Sequence, residues 1–300
     1  MVQSNNNNIE RNFLASLSKE FQYREVKIYW FLHIVRFSSI LIFFISAHGN
    51  EKPNFILIVS ESHPVSALGA YKGYLSEVDP TPNLDRLALK SFLFTKAFCT
   101  NATSGPSGAV LLTGKHSHIN GFFQNGNKFN NSQDSLPRKL QKIGYETILI
   151  GRWNLGSKPK NFDHWNILND PSEKYNPEFV SLNNKKRIEG HSTDIISDLA
   201  IEWIKKRNHD KPFFLFIQFN ATSEPWLPAI RHLSLYDNLL LPEPFNLDDK
   251  HLNKASPARY QSMDIIDDLN FSEDLFFQPE KFDENKSEAN LASMTAEQLS

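Results

Sequence analysis

The sequence predicts an α/β fold, a sandwich in which helices cover both faces of a mainly parallel sheet. Short apolar runs alternate with amphipathic helical patterns along the chain, which is typical of parallel strands joined by crossover helices. The apolar runs carry no alternating polar residues, as in strands that are buried on both faces. The 300 residues include 24 Phe, 8 Tyr and 5 Trp, which is far more apolar surface than a disordered chain carries.

Three apolar runs are predicted to be the buried strands of this sheet. They are residues 54–59, 147–150 and 213–219, and a further aromatic-rich run at 92–98 is also predicted to be a strand. The carboxyl ends of parallel strands meet at one edge of a sheet, where the chemistry of such folds collects. The residues that follow the three buried strands are 60–62, 151–154 and 220–224.

The predicted helices begin and end at recognisable signals. Thr81 is predicted to cap a helix that has Pro82 at its first position and Asp85 in its first turn. Gly144 is predicted to end a later helix because glycine tolerates the left-handed conformation found at helix ends. The remaining predicted helices are 107–113, entered through Gly105-Pro106, then 136–143 and 194–206.

Composition and charge exclude several classes of function. The chain has 32 basic and 34 acidic residues and a net charge of −2, so it offers no basic field for nucleic acid. Cys99 is its one cysteine, which rules out an internal disulfide framework and a multi-cysteine zinc site. We expect Cys99 to be a small buried residue.

The first 49 residues are predicted to be a polar extension followed by a signal peptide. Lys27, His33 and Arg36 form a basic flank, residues 37–45 form the apolar segment, and Ala47-His48-Gly49 has the small-x-small pattern of a cleavage site. This predicts export of the protein. An uncleaved anchor is the alternative, and it is the one way in which we expect the chain to meet a membrane.

The rest of the chain divides into two predicted parts. Residues 50–262 form the globular domain, and residues 263–300 form an acidic, loosely structured end with few periodic apolar positions. Five Asn-x-Ser/Thr sequons are present, but in a chain this rich in asparagine they do not establish glycosylation. They begin at Asn101, Asn130, Asn220, Asn270 and Asn285.

Ordered blocks between residues 53 and 260 carry a family resemblance. The blocks are 54–62, 81–87, 101–115, 144–156 and 211–216, together with the shorter motifs 162–165, 192–195 and 226–228. In this order they resemble the N-terminal domain of the sulfatase family within the alkaline-phosphatase superfamily, and most of all its glycosaminoglycan and polysaccharide sulfatases. The resemblance implies an alkaline-phosphatase-like sandwich and a family reaction in which sulfate esters of glycans are hydrolysed.

The resemblance also implies a particular nucleophile at the entry to the second helix. In the family a Cys or Ser is oxidised to formylglycine, whose hydrate attacks sulfur at a helix N-terminus. Ser104 stands at that position. Gly108 stands where the signature has an arginine that orients the modified residue and forms part of the motif read by the modifying enzyme.

The metal position departs from the family pattern. Family members hold a divalent cation, usually calcium, on carboxylates. Glu61 and Ser62 stand in place of an aspartate pair. The resemblance implies that the other metal ligands would lie beyond Ser300, so we expect a chain that is truncated at its C-terminus and that holds calcium weakly or not at all.

The acid–base and substrate positions depart as well. Arg152 stands in place of a lysine, and Asn154 and Ser223 stand in place of two histidines. Arg152 keeps the positive charge, whereas Asn154 cannot shuttle a proton. Lys115 and Asn154 are predicted to contact substrate, and the helix N-terminus at 105–107 is predicted to help bind an anion.

These departures predict a sulfatase-like protein that is catalytically inactive and retains a weak site for sulfated glycans. Two alternatives stay open. The chain could be an active sulfohydrolase that uses formylglycine derived from Ser104, or a truncated product without a function of its own.

Overall fold

The structure is a computed structural model that describes residues 52–261 together with Met294, Thr295 and Gln298. Within these residues the chain forms one six-stranded sheet with the strand order β1-β6-β2-β3-β4-β5. The strands are β1 Phe55–Val59, β2 Glu146–Gly151, β3 His164–Leu168, β4 Glu178–Ser181, β5 Lys185–Arg187 and β6 Phe213–Gln218.

The sheet is mainly parallel. β6 lies between β1 and β2 and runs parallel to both, so that Leu215 pairs with Ile56 on one side and with Ile148 on the other. β3 is parallel to β2, whereas β4 and β5 are antiparallel additions at the far edge. The α/β fold with a mainly parallel central sheet is confirmed.

Helices connect the strands and cover the sheet. The helices are α1 Pro82–Ala88, α2 Ser104–Thr113, α3 Ser117–Asn120, α4 Leu136–Lys142, α5 Ser192–Lys206 and α6 Ser256–Arg259. Short 3-10 turns lie at Val65–Ala67, Gly69–Tyr71, Tyr74–Val78 and Ile230–His232. None of the helices in the described part of the chain has the length and apolar character needed to cross a membrane.

Two hydrophobic cores lie on opposite faces of the sheet. Alternate residues of a strand point to opposite faces, and β6 divides in this way: Phe214 and Phe216 belong to one core, and Phe213, Leu215 and Ile217 to the other. The first core receives α2 through Ala109 and Leu112. The second receives α5 through Ile195, Ile196 and Ala200. Two covered faces explain why β2 and β6 are apolar at nearly every position.

Several predicted elements are confirmed with small shifts of their ends. The helix predicted at 107–113 begins at Ser104, and that predicted at 194–206 begins at Ser192. Gly144, with a φ of +91°, follows a helix that ends at Lys142. α1 begins at Pro82 as predicted, but the Thr81 hydroxyl does not cap it: it accepts from the Gly69 amide and donates to Asp85 instead.

Three predictions about the first hundred residues are wrong. Residues 92–98 form no strand, and Phe92 is 94% exposed. Aromatic residues favour a strand only where a neighbouring strand is available for pairing, and among the described residues none pairs with this segment. β1 is not buried on both faces: it lies at the sheet edge, and Ile58 is 61% exposed because no described element packs over that side. Cys99 is exposed and not buried, since it lies in the same irregular segment.

Two predicted regions lie mostly outside the described residues. The signal peptide or anchor at 1–49 falls there entirely. Of the acidic end, three residues are described, and the Gln298 side chain accepts a hydrogen bond of 2.8 Å from the Asn176 amide.

Candidate active site at the carboxyl edge of the sheet

The carboxyl ends of β1, β6 and β2 are joined by main-chain hydrogen bonds. The Phe219 amide donates to the Val59 carbonyl at 2.9 Å, and the Arg152 amide donates to the Gln218 carbonyl at 2.7 Å. Gly151 makes the second contact feasible because a Cβ atom there would lie 2.0 Å from the Gln218 carbonyl oxygen. The polar residues that follow these three strands therefore meet at one edge, as the sequence predicts.

An ion pair lies at the centre of this edge. The Arg152 guanidinium contacts the Glu61 carboxylate, and the two side chains are 16% and 10% exposed. Burial lowers the pKa of Arg152, while the nearby Glu224 raises it, and a guanidinium stays protonated throughout. The Arg152 Nε atom is buried without a hydrogen-bond partner in the described part of the chain. An oxyanion at this edge would supply the acceptor that Nε lacks.

Ser104, the predicted nucleophile, is hydrogen-bonded to the side-chain amide of Asn154. Ser104 is the first residue of α2, and its hydroxyl oxygen accepts a hydrogen bond of 2.9 Å from the Asn154 side-chain amide. An amide is not a base at neutral pH and cannot take the proton from a serine hydroxyl. The structure thus brings Ser104 and Asn154 together.

The N-terminus of α2 offers less to an anion than the sequence predicts. The Gly105 amide donates to the Asn125 side chain at 2.9 Å, and the Ser107 amide donates to the Thr103 carbonyl. Pro106 has no amide hydrogen. The backbone amides at 105–107 are therefore already bonded or absent, and they do not provide the predicted anion site.

Gly108 lies near Ser104, and a Cβ atom would fit there without a clash. A Cβ atom at Gly108 would have its nearest contacts with Leu155 at 3.8 Å and with the Asn154 amide oxygen at 3.9 Å. Gly108 lies one helical turn after Ser104, on the same face of α2. The position of the family arginine thus faces Asn154 and is empty of side chain.

The residues at the metal position do not fit calcium. Glu61 is already paired with Arg152, and Ser62 contributes a neutral hydroxyl from a residue with a φ of +54°. In the described ranges no group of three or more His, Cys, Asp or Glu side chains could hold a metal ion. Calcium prefers several carboxylate and carbonyl oxygens, which this arrangement does not provide.

The structure places Ser223 at this edge of the sheet and Lys115 away from it. The Ser223 hydroxyl donates to the Asn220 carbonyl at 2.7 Å, directly after β6 and beside Thr222, whose amide donates to the Glu61 carbonyl at 2.6 Å. Ser223 therefore lies at the same edge as Glu61. Lys115 follows the opposite end of α2, about 16 Å along the helix from Ser104, and its backbone bonds to Thr113 and Asn120. The structure does not bring it to this site.

Sequence reasoning missed Lys174, which is buried beneath the edge. Lys174 is 3% exposed, and its ammonium donates to the Asn220 carbonyl at 2.6 Å. Its pKa is lowered to about 8, first by burial and then by the charge of Arg152, while the charge of Glu224 opposes the shift. A lysine in a polar loop normally indicates a solvated side chain, so no sequence signal marks this one.

Two aromatic rings hold the loop that follows β6. The His191 ring caps α5, accepting from the Thr193 amide at Nδ1, and its Nε2 lies 3.0 Å from the Leu227 carbonyl oxygen. Burial lowers the pKa of His191, which keeps it in the neutral form that this pair of contacts requires. The Tyr175 hydroxyl donates to the Pro228 carbonyl at 2.7 Å. The loop 221–229 is thus fixed over the end of β6.

Comparisons with known proteins agree with this geometry. The chain is 40% identical over 218 residues to an N-acetylglucosamine-6-O-sulfatase of Bacteroides thetaiotaomicron, covering 72% of this chain and 38% of the relative. It is 29% identical to the human N-acetylgalactosamine-6-sulfatase, covering 58% of this chain and 40% of that protein. The chain thus spans about two fifths of the length of these relatives.

A solved structure of a protein in complex with its substrate D-glucosamine-2-N,6-O-disulfate is similar in fold as well. It superposes with a TM-score of 0.77 at 37% identity, covering 83% of this chain and 51% of that protein. The family model described as Sulfatase matches residues 53–232, a range that includes β1 to β6 and every residue of the edge described above. This chain belongs to the sulfatase family.

Proposed function

We propose that this protein binds sulfated glycans at the carboxyl edge of its sheet and does not hydrolyse them. The observation that carries the proposal is the ion pair of Arg152 with Glu61, in which a guanidinium occupies the carboxylate that would otherwise serve a metal. Three of the similar proteins are named for, or solved with, sulfated amino sugars. Sulfated glycans are therefore the ligand class that we assign to this edge.

Binding of the anion is supported by the charges at the edge. Arg152 and Lys174 supply two cations, and the carboxylates near them are Glu61 and Glu224. A planar guanidinium binds sulfate oxygens with directed, charge-assisted hydrogen bonds. Its unpartnered Nε atom gives Arg152 a donor for a ligand without breaking the pair with Glu61.

The absence of turnover is supported by the groups around Ser104. Hydrolysis of a sulfate ester needs an activated nucleophile and a proton donor for the leaving oxygen. Ser104 faces the Asn154 amide, and Ser223 is a hydroxyl bonded to a carbonyl, so neither partner transfers a proton near neutral pH. Among the described residues, no group of three or more His, Cys, Asp or Glu side chains could hold a metal ion.

Sulfate release and peptide mass together test the inactive assignment. We expect no release of sulfate from an aryl sulfate or from N-acetylglucosamine 6-sulfate, with or without added calcium. The peptide that spans 101–115 should carry an unmodified Ser104. Calcium-dependent sulfate release that Ser104→Ala abolishes, or an aldehyde at Ser104, would establish the alternative of an active sulfohydrolase.

Two substitutions with opposite expected effects on affinity test the binding site. The affinity for N-acetylglucosamine 6-sulfate is measured by calorimetry. Arg152→Gln should weaken binding by roughly tenfold or more, the size of a lost charged hydrogen bond. Glu61→Gln should leave binding intact or strengthen it, since it frees Arg152. Arg86→Gln is the control, because Arg86 is an exposed arginine on α1 that bonds only to the nearby Asn83 among described contacts. Equal affinity of the Arg152→Gln variant and the parent would contradict the proposal.

A further inference from the structure

The two edge strands of the sheet differ in charge. β5 is one edge, and its three residues at 185–187 are all basic and all exposed. Charged residues on an edge strand keep other strands from pairing with it. β1 is the other edge, and its sequence Phe-Ile-Leu-Ile-Val contains no charged residue. β1 is thus the edge that is open to a further strand.

One side of β1 has no partner strand in the described part of the chain. β1 pairs with β6 along its whole length, from Phe55 opposite Phe214 to Val59 opposite Gln218, and no other described strand pairs with it. An edge strand presents a row of backbone amides and carbonyls that a further strand can bond. A strand added beside β1 would satisfy these groups.

One face of β1 is uncovered as well. Leu57 and Val59 pack against the first core, whereas Ile56 and Ile58 point to the opposite face and are 50% and 61% exposed. On that face the second core includes three residues of the neighbouring β6 but neither isoleucine of β1. The second core of the described chain therefore ends at β6, and the apolar surface of β1 continues beyond it.

The similar proteins contain a large part that this chain does not match. The match with the solved structure covers 83% of this chain but 51% of that protein, and the match with the Bacteroides thetaiotaomicron relative covers 38% of the relative. The unmatched part of each protein either packs against the matched part or folds apart from it. An open edge strand beside an uncovered apolar face is the kind of surface against which such a part packs.

We propose that β1, through its open edge and the exposed Ile56 and Ile58, is a docking surface for a polypeptide that corresponds to the unmatched part of these relatives. The polypeptide adds a strand beside β1 and lays apolar side chains over the two isoleucines. Because β1 carries no charge, recognition is by main-chain hydrogen bonds and apolar contact. The proposal goes beyond glycan binding at Arg152 and does not depend on it. A second copy of this chain is the competing occupant of the same edge.

Co-expression tests the docking surface. The probe is the longer of the segments of the Bacteroides thetaiotaomicron relative that lie outside its match, and it is produced with an affinity tag together with the full chain of 300 residues. We expect the two polypeptides to purify as a one-to-one complex, with its mass measured by light scattering. Amide hydrogen exchange at 55–59 should be slower in the complex than in the chain alone, because the added strand protects β1.

Matched substitutions locate the contact. Ile58→Lys should weaken the complex by roughly tenfold or more, because a lysine on an edge strand opposes pairing and its charge is costly to bury. Ile119→Lys is the control: Ile119 is also 61% exposed, but it lies on α3, and its variant should bind the probe as the parent does.

Urea unfolding of the Ile58→Lys chain alone separates docking from a role within the chain. The midpoint should equal that of the parent, because Ile58 is exposed. A lower midpoint would show that another segment of this chain already covers Ile58, and would contradict the proposal.

A second form of the experiment keeps the test valid if the probe does not fold by itself. The same segment is joined to the chain through a flexible linker, and hydrogen exchange at 55–59 is measured again. Exchange that is as fast as in the chain alone in both forms overturns the proposal, as does a complex that Ile58→Lys leaves unchanged. A dimer of the chain alone that Ile58→Lys dissociates, without binding of the probe, assigns the edge to a second copy and also overturns it.

Discussion

Lys174 is buried and the Arg152 side chain is 16% exposed, and removing two cations from water under one sheet edge is costly to a fold. Arg152 offsets its cost with Glu61, whose carboxylate contacts it. Lys174 donates to a carbonyl and lies close enough to Arg152 for their charges to repel. A buried cation that is retained in this way is a candidate for ligand binding, because an incoming anion relieves the repulsion.

The lowered pKa of Lys174 predicts a specific dependence of stability on pH. The pKa is about 8 in the folded chain and 10.5 when exposed, so between these values the unfolded state binds more protons. Stability should therefore rise with pH across this window, relative to Lys174→Met, which has no proton to lose. Urea unfolding of both proteins at about pH 7 and about pH 9.5 measures it. A difference between the two proteins that does not change with pH would contradict the lowered pKa.

At the scale of single residues, the sequence predicts only those site residues that follow a recognisable strand or motif. Glu61, Arg152 and Asn154 were predicted because they come directly after apolar runs, and the structure brings them to one edge. Lys174 was missed because its burial depends on a contact with Asn220, which is 46 residues further along the chain. Local polarity cannot reveal a burial that is created by such a distant contact.

At the scale of elements, the fit between β2 and β6 depends on a glycine. Gly151 has a φ of +107°, and the nearest atom to a Cβ there would be the Gln218 carbonyl oxygen at 2.0 Å. A side chain at this position would push apart the strands that carry Arg152 and the loop 221–229.

Gly151→Ala should destabilise the protein by about 2 kcal/mol or more, because it combines a strained φ with overpacking against a central strand. Gly108→Ala is the matched control: its Cβ would meet Leu155 and Asn154 at ordinary van der Waals distances and Gly108 lies within a helix, so it should raise stability by roughly 0.5–1 kcal/mol. Chemical denaturation of the two variants measures both effects. A Gly151→Ala protein as stable as the parent would show that the two strands can separate at no cost.

Elements with an unbroken apolar sequence were predictable, and others were not. β2 and β6 are covered on both faces, so their sequences carry the signal that was used to find them. β3 and β5 were missed because they include His164, Asn166 and three consecutive basic residues at 185–187, which form no apolar run. β4 was missed because it is four residues long and contains only two apolar residues. Residues 92–98 show the converse, since aromatic residues without a pairing partner form no strand.

At the scale of the whole molecule, we propose that the chain is exported and cleaved near Gly49. The apolar segment 37–45 is shorter than the roughly 20 residues that a membrane-spanning helix needs, which favours a signal peptide over an anchor. β1 begins at Phe55, so cleavage would leave the described sheet intact. N-terminal sequencing of the protein recovered from expressing cells should give a start near residue 50. A chain that begins at Met1 in the cytosol would contradict export.

The burial of Asn220 has a consequence for production of the protein in eukaryotic hosts. Asn220 begins a sequon, yet it is fully buried, with its side chain bonded to the Pro171 carbonyl and the Ser192 hydroxyl. An oligosaccharyltransferase could modify it only before β6 joins the sheet, and a glycan attached there would prevent that joining. Glycan attachment and folding therefore compete for each newly made chain. The secreted fraction should lack a glycan at Asn220, whereas chains retained by quality control should be enriched in it.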